Sequence, residues 1–549
     1  MWRTNWFWPA VIAIAAWTAL LATLDPAGDH PGLFDGPGMT VDEHFNMVQG
    51  VGLADRLLSG DFEGFKRVDA RLPDHPPLGR IWIGVCHELA WLLWPPVDRE
   101  IVYSLWCART GSATAFAALV FLVGWYAGRW YGRWAGAAAS LAAILMPRTF
   151  GHAHLAALET MVSVTCTAAV LFLADTWGRA LELPDTESAG RKLPRKAGKA
   201  RELCVAAAGG ALFGLALLTK VQAVMLPFAI VIWALVRLRW RAVPLLAVWG
   251  VAGLVVFFTC WPWLQSASLD HLRQYLGRTT HRPTIYVWYF GEVLADRDVP
   301  WHYPWVMFLT TVPVGLLALG ICGLSRTKGS LRAPSREFLL AASIAAPLCI
   351  FSIPGVPVYD GERLFAFVFP LWAVLVGRGA ERARLLLASR WSGGVAVWSL
   401  GLFFALQIYG LIALAPAWLS YYSLAVGGLR GAAKLGLEVS YWGDGVTRSL
   451  LKEVVWIVPA GEAIAVAPVM YDGHWDELLR QCPDLRRRDL HLVPYGAPEA
   501  KRARYVLMFM RQEYLPGEYR RPVDAQRVVA STVRQGVALA MLLDRQKEP

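Results

Sequence analysis

Apolar runs recur along the chain at nearly regular intervals and stop near residue 415. A helix that crosses a bilayer needs ~20 mostly apolar residues. Runs near that length occupy 8–24, 102–126, 135–151, 160–177, 203–220, 221–236, 243–260, 305–322, 338–353, 364–377 and 393–414. These eleven runs predict an all-α polytopic membrane protein over residues 1–415. From 416 to 549 the pattern changes to short apolar runs such as "AIAVAPVM", "LHLVPY" and "RYVLMFM", separated by charged stretches. That alternation predicts a small α/β domain outside the membrane.

A twelfth segment, 80–96, reads "RIWIGVCHELAWLLW" at its core and carries Arg80, His87 and Glu88. A charge near mid-bilayer costs ~3 kcal/mol on insertion scales, so this segment is expected to dip into the interface rather than cross. The basic clusters Arg129/Arg133, Arg179 to Arg201, Arg237 to Arg241, Arg326 to Arg336 and Arg378 to Arg390 then all face the cytoplasm, as the positive-inside rule asks. The segments 25–79, 261–304 and 354–363 and the tail after Pro416 face the other side. The first run follows Arg3 like a signal peptide but has no small-x-small cleavage site before Asp25, so it reads as an uncleaved anchor.

Composition agrees. Apolar residues make up 56% of 549 and charged residues only 17%, which excludes a large soluble enzyme. The formal charge of +11 sits in short clusters between apolar runs, the pattern of cytoplasmic loops rather than of a nucleic-acid surface. Seven of the eight cysteines fall in apolar stretches, and neither a disulfide framework nor a paired CxxC metal motif is present.

Candidate chemistry concentrates on the non-cytoplasmic side. Asp42 and Glu43 stand side by side in "MTVDEHFNMVQG", and "LPDHPPLGR" follows with Asp74 and His75 ahead of two prolines. Pro-Pro removes two backbone donors and holds the preceding residue extended, which fixes where those side chains point. A carboxylate pair can act as a general base or bind a divalent cation (Mg or Mn) through oxygen ligands; it can also simply solvate a loop. Glu159 lies at the outer mouth of one run. Lys220 stands between two runs with too little polar chain for an ordinary loop, either as an intramembrane functional charge or as an interfacial lysine. Asp360, Glu362 and Arg363 in "PVYDGERLFAF", and Arg273, Arg278, His281 and Arg282 in "HLRQYLGRTTHRP", supply groups that could pair with a phosphate or anchor the interface. The pair His152-x-His154 lacks a third ligand and reads as packing.

The motifs "VDEHFN" and "DHPPLGR" resemble those of protein O-mannosyltransferases, and "LLTKVQAVMLP" and "VPVYDGERLFAFVFPLWAVLVG" look like blocks shared with bacterial lipid A aminoarabinose transferases. Both groups are GT-C glycosyltransferases, and the resemblance covers about the first 380 residues. It implies an inner-membrane enzyme with an extracytoplasmic cavity that takes a polyprenyl-phosphate sugar from the membrane and passes the sugar, with inversion, to an acceptor hydroxyl on a glycan, lipid or protein. In that resemblance Asp42 matches the catalytic acidic residue that deprotonates the acceptor, and Glu43 supports it. Lys220, Arg363 and Arg278 or Arg282 stabilise the departing phosphate. Glu159 stands where the family often carries Asp. The chain has no room for the luminal β-rich insertion of eukaryotic protein O-mannosyltransferases, so among those three acceptor classes nothing points to protein in particular. The competing reading is a flippase or carrier for the same lipid, which would place ionisable groups at mid-membrane and carry internal inverted repeats.

Overall fold

The computed structural model describes residues 5–98, 101–179, 195–280, 283–325, 336–520 and 524–546. The chain is mostly helical, with several apolar helices and a small sheet near its C-terminus. In order, the first half contains α1 (Phe7–Ala22), α2 (Val41–Leu58), α3 (Phe62–Asp69), α4 (Leu78–Leu93), α5 (Leu105–Tyr131) and α6 (Arg133–Ile144). There follow α7 (Pro147–His152), α8 (Leu158–Arg179), α9 (Arg195–Leu217), α10 (Leu226–Leu238) and α11 (Ala242–Thr259). Next come α12 (Pro262–Ser266), α13 (Ser268–Thr280), the hairpin β1 (Tyr286–Tyr289) and β2 (Glu292–Ala295), then α14 (Tyr303–Thr311), α15 (Val314–Leu324), α16 (Arg336–Ile350), α17 (Val368–Arg390) and α18 (Gly393–Gln407).

Among the described residues five helical stretches are long and apolar enough to cross a membrane, or six if the bent pair α14–α15 counts as one. The eleven runs expected from sequence do not translate into eleven full-length helices, and the reasons are local. Pro313 lacks an N–H and holds Val312 extended, so α14 and α15 meet at 109°. The run 364–377 opens α17, whose second half is basic from Arg378 to Arg390. The runs at α6 and α16 yield helices of only 12 and 15 residues. Between α10 and α11 the apolar stretch Val221–Thr259 turns at Arg239, which has φ of 54°.

The helices share one apolar core in which α5, α6 and α17 are central and α1, α8, α15 and α16 pack around them. The C-terminal sheet has strand order β4-β3-β5-β7-β6, with β3 (Ala463–Ala467), β4 (His491–Pro494), β5 (Tyr505–Phe509), β6 (Val528–Arg534) and β7 (Val537–Asp544). Strand β3 is parallel to β4 and β5, while β7 is antiparallel to β5, with Tyr505 opposite Asp544. A second apolar core spans the expected domain boundary, joining Met39, Met47, Ile83 and Leu105 to Val454, Trp475 and Phe509. Arg448 to Asp25 (3.1 Å) and Arg486 to Asp98 (2.5 Å) tie the sheet region to the same loops. The tail, the segment 25–79, Asp98, residues 101–104 and the segment 354–363, whose Asp360 meets Arg511, therefore occupy one face.

Both ends of α4 lie on that face. At its start Leu78 N–H bonds to the Leu218 carbonyl (3.0 Å), beside Lys220; past its end Trp94 packs edge-on against Trp106 at the start of α5, 5.4 Å between ring centroids. Arg80 and His87 point inward, while Leu89, Leu92 and Leu93 are exposed, so α4 lies along the face as an amphipathic helix. Helix α2 crosses it closely enough that a Cβ on Gly84 would land on the Gly50 carbonyl oxygen. This crossing places Asn46 of α2 against Arg80 of α4. At the opposite ends of the helices Arg129 meets Asp175 (3.3 Å) and Arg378 meets Glu337 (3.3 Å), so those basic clusters share the other face.

Candidate active site

The two adjacent carboxylates diverge. Successive helical residues point about 100° apart, and Asp42 and Glu43 lie in the first turn of α2, after the N-cap Thr40. Glu43 closes a capping box, accepting Thr40 N–H at 2.8 Å. Its other contacts are Thr40 Oγ1 (3.1 Å), Arg109 Nε (2.7 Å), Arg109 Nη2 (2.8 Å) and Ala156 N–H (2.7 Å). Glu43 and Arg109 are both fully buried. Asp42 turns the other way and is bonded by Arg363 Nη2.

Arg363 is the hub. Its Nε donates to Glu159 Oε1 at 2.6 Å, and its Nη1 lies 3.3 Å from Asp360 Oδ2. Glu159 Oε1 also accepts Lys220 Nζ at 2.6 Å. Glu159 stands in the first turn of α8, where the helix dipole favours a carboxylate. Lys220 occupies an extended residue (φ −161°, ψ 146°) between α9 and a short 3₁₀ turn at Val221–Met225. The chain breaks there within an apolar stretch, so the ammonium reaches a carboxylate instead of lipid. Both side chains of this pair are nearly inaccessible.

A cavity of about 50 Å³ opens in front of this hub. Asp42, Asp74, His75, Arg80, Lys220 and Arg363 supply its polar wall, with Phe45, Asn46 and Leu158 beside them. Arg80 is itself held by Asp74 (2.9 Å) and by Asn46 Oδ1 (3.1 Å). Burial pushes the His75 imidazole down to about 4, against the pull of Asp74, so it is neutral at physiological pH. Ligand pockets usually measure about 300–1,000 Å³. At about 50 Å³ the cavity is smaller than that range.

No family model and no curated protein matches the chain. Among solved structures it is similar to ArnT from Cupriavidus metallidurans, both in the apo state and bound to undecaprenyl phosphate, at 15% identity and a TM-score of 0.49, covering 98% of each chain. It is also similar to the archaeal oligosaccharyltransferase AglB from Archaeoglobus fulgidus, in complex with an inhibitory peptide and a dolichol-phosphate. There the identity is 12%, the TM-score 0.46, and the match covers 92% of this chain and 69% of the other.

Of the residues singled out in the sequence, Asp42, Asp74, His75, Lys220 and Arg363 line the cavity, and Glu159 and Asp360 bond to Arg363. Glu43 does not line it, because all its bonding capacity is turned toward Arg109, Thr40 and Ala156. Arg278 lies in α13 with its side chain outside the described residues, and Arg282 is outside them altogether. Glu43 is paired with Arg109 and Asp42 with Arg363. Among the described residues no group of three or more His, Cys, Asp or Glu side chains is spaced for a metal. His154 packs flat on Trp418 at 4.2 Å, while His152 faces Glu362 at 3.4 Å.

Four residues with a part in this arrangement are not marked as site residues by the sequence. Arg80 and Arg109 lie inside apolar segments, where an intramembrane charge is itself a signal. Trp442 and Arg511 lie in the tail, about 80 and 150 residues past Arg363 in a region that no motif covers. No local pattern could have joined them to Asp360.

Proposed function

We propose that this protein is an integral membrane glycosyltransferase that moves a sugar from a polyprenyl-phosphate donor to an acceptor hydroxyl on the extracytoplasmic face. The observation that carries the reading is the convergence of one half-exposed carboxylate, Asp42, with the buried Lys220 and the partly buried Arg363 on a single cavity at the end of the apolar helices. The lipid-phosphate class of donor comes from the motif resemblance.

In this reading Asp42 takes the acceptor hydroxyl proton, and the acceptor oxygen attacks the anomeric carbon from the face opposite the phosphate. The bond from anomeric carbon to phosphate oxygen breaks, its electron pair stays on the phosphate, and the configuration inverts. Lys220 and Arg363 stabilise the charge that collects there, the preorganised electrostatic role that commonly dominates such steps. Arg363 must leave Asp42 for the phosphate before Asp42 can act as a base, so donor binding precedes acceptor activation. Neutral His75 can offer a ring N–H to the donor. No step is assigned to a divalent cation, one of the roles open to a carboxylate pair, since Asp42 and Glu43 face different partners.

The distribution of charge favours transfer over carriage. Within the long apolar stretches, charges sit toward helix ends or breaks: Arg109 and Arg129 in α5, Glu159 and Asp175 in α8, and Arg237 to Arg241 between α10 and α11. The basic ends Arg129 and Arg378 support placing the cavity on the far, extracytoplasmic side.

The test is reconstitution of the full chain with a panel of polyprenyl-phosphate sugars, mannose among them, and candidate glycan and lipid acceptors. Formation of glycosylated acceptor with stoichiometric free polyprenyl phosphate is the expected result. Movement of intact donor between leaflets with no bond cleavage would replace this reading with the carrier.

A further inference from the structure

Asp360 lies in a turn where it and Gly361 both take left-handed backbone, with φ of 58° and 66°. Such a conformation is costly for a non-glycine residue and persists where surroundings enforce it. Here they do. Gly361 N–H donates to Tyr303 Oη at 2.9 Å, and the Asp360 carboxylate is divided between two groups of partners. Oδ2 lies 3.3 Å from Arg363 Nη1 and accepts Trp442 Nε1 at 3.1 Å; Oδ1 accepts Arg511 Nη2 at 2.8 Å. The Trp442 ring also lies under the Arg363 guanidinium at 5.1 Å, within cation–π range.

Arg511 is fixed in turn. It is 1% exposed, donates from Nε to Glu513 Oε1 at 2.5 Å and from Nη1 to the Tyr441 carbonyl at 2.9 Å. Trp442 and Arg511 both come from the tail, which neither the motifs nor the proposed chemistry assigns a role. Arg363 therefore has two sides. Asp42 and Glu159 hold it toward the cavity, and the tail controls its other side through Asp360 and the indole. Without Arg511, Asp360 would present an undivided charge to Arg363 and compete with any phosphate for it.

We infer that Trp442 and Arg511 are positioning residues for Arg363, and that the C-terminal region is part of the phosphate-binding site rather than an accessory. By sharing Asp360, Arg511 leaves the Arg363 fork available to an incoming phosphate; Trp442 sets the plane of that fork. The inference rests on the proposed function in taking a lipid phosphate as the group Arg363 receives.

The experiment uses the full chain in nanodiscs and reads binding of undecaprenyl phosphate, thermal stability and, with a competent donor, transfer kinetics. Trp442→Phe keeps an aromatic face under Arg363 but removes the N–H to Asp360 and replaces the indole with a smaller ring. Arg511→Lys keeps the charge and removes the fork. Each is expected to weaken lipid-phosphate binding, or raise donor KM, by about 10-fold, with a modest fall in melting temperature for Trp442→Phe because a buried ring is made smaller. In an Arg363→Lys background the further loss should shrink to less than about 2-fold, since residues acting through a common group are non-additive. A purely structural role would give the same loss in both backgrounds. Wild-type affinity in Trp442→Phe, or full additivity with Arg363→Lys, would overturn the inference even if the enzyme transfers sugar. Coupled binding losses in a protein that transfers nothing would sustain it and sink the transferase reading. Absence of lipid-phosphate binding by the wild type would remove both.

Discussion

Two neighbouring carboxylates should fail in opposite ways when neutralised. Glu43 accepts five hydrogen bonds, two on Oε1 and three on Oε2. In Glu43→Gln the amide nitrogen must replace one of these oxygens, so two or three donors would face another donor whichever way the amide turns. Arg109, fully buried, would also lose its counter-charge. Breaking a buried pair by removing one partner costs about 3–5 kcal/mol. Arg109 keeps bonds to the carbonyls of Leu24, Pro37 and Gly38, which places the expected loss near the low end. Against a typical total of 5–15 kcal/mol, ~3 kcal/mol is a large fraction. Asp42 is 36% exposed, and in Asp42→Asn its partner Arg363 retains Glu159 and Asp360. Solvent screening limits the stability change there to about 1 kcal/mol, while loss of a general base lowers kcat by about 10²–10⁴-fold. The assay is monodisperse fraction after graded heating, by size-exclusion chromatography, alongside transfer rate at saturating donor. Glu43→Gln with wild-type heat resistance, or Asp42→Asn with more than about a tenth of wild-type turnover, would refute this division of roles.

Other outcomes follow from the same geometry. Lys220→Met leaves Glu159 its 2.6 Å bond from Arg363, so destabilisation on the order of 1–3 kcal/mol should accompany a drop of about 10²-fold in kcat/KM; turnover at the wild-type level with saturating donor would take Lys220 out of the site. Asp29 is fully buried with no hydrogen-bond partner for its carboxylate among the described residues, and burial, then Asp25, push its pKa from 3.8 up to about 8. The folded state thus keeps a proton that the unfolded chain releases near pH 4. The stability this provides is full below pH 4 and declines as pH rises toward 8. Asp29→Asn should therefore resist heating better than wild type at pH 8, with little difference at pH 4; an equal shift at both would show that Asp29 is not protonated in the fold. Reporters fused after Arg201 and after Leu419 should mark opposite compartments, and a shared compartment would contradict the placement of the basic ends and the sheet on different faces.

The amino-acid sequence by itself determined the apolar helical body, the sheet-forming tail and the side on which charge gathers, because hydrophobic periodicity and Lys/Arg bias are local properties that the bilayer reads directly. It also marked Asp42, Lys220 and Arg363 through short motifs and through charge placed in apolar surroundings. Other features required the tertiary structure. Pro313 turned one expected span into a bent pair, and whether α4 crosses depended on where its two ends pack. Glu43 and Asp42 are indistinguishable as letters, and only the position of Arg109 on α5 makes one a buried structural anion and leaves the other at the cavity. Trp442 and Arg511 meet Asp360 because the tail packs against the turn that carries it. Such long-range ion pairs are set by packing between distant elements, so no window of sequence contains them.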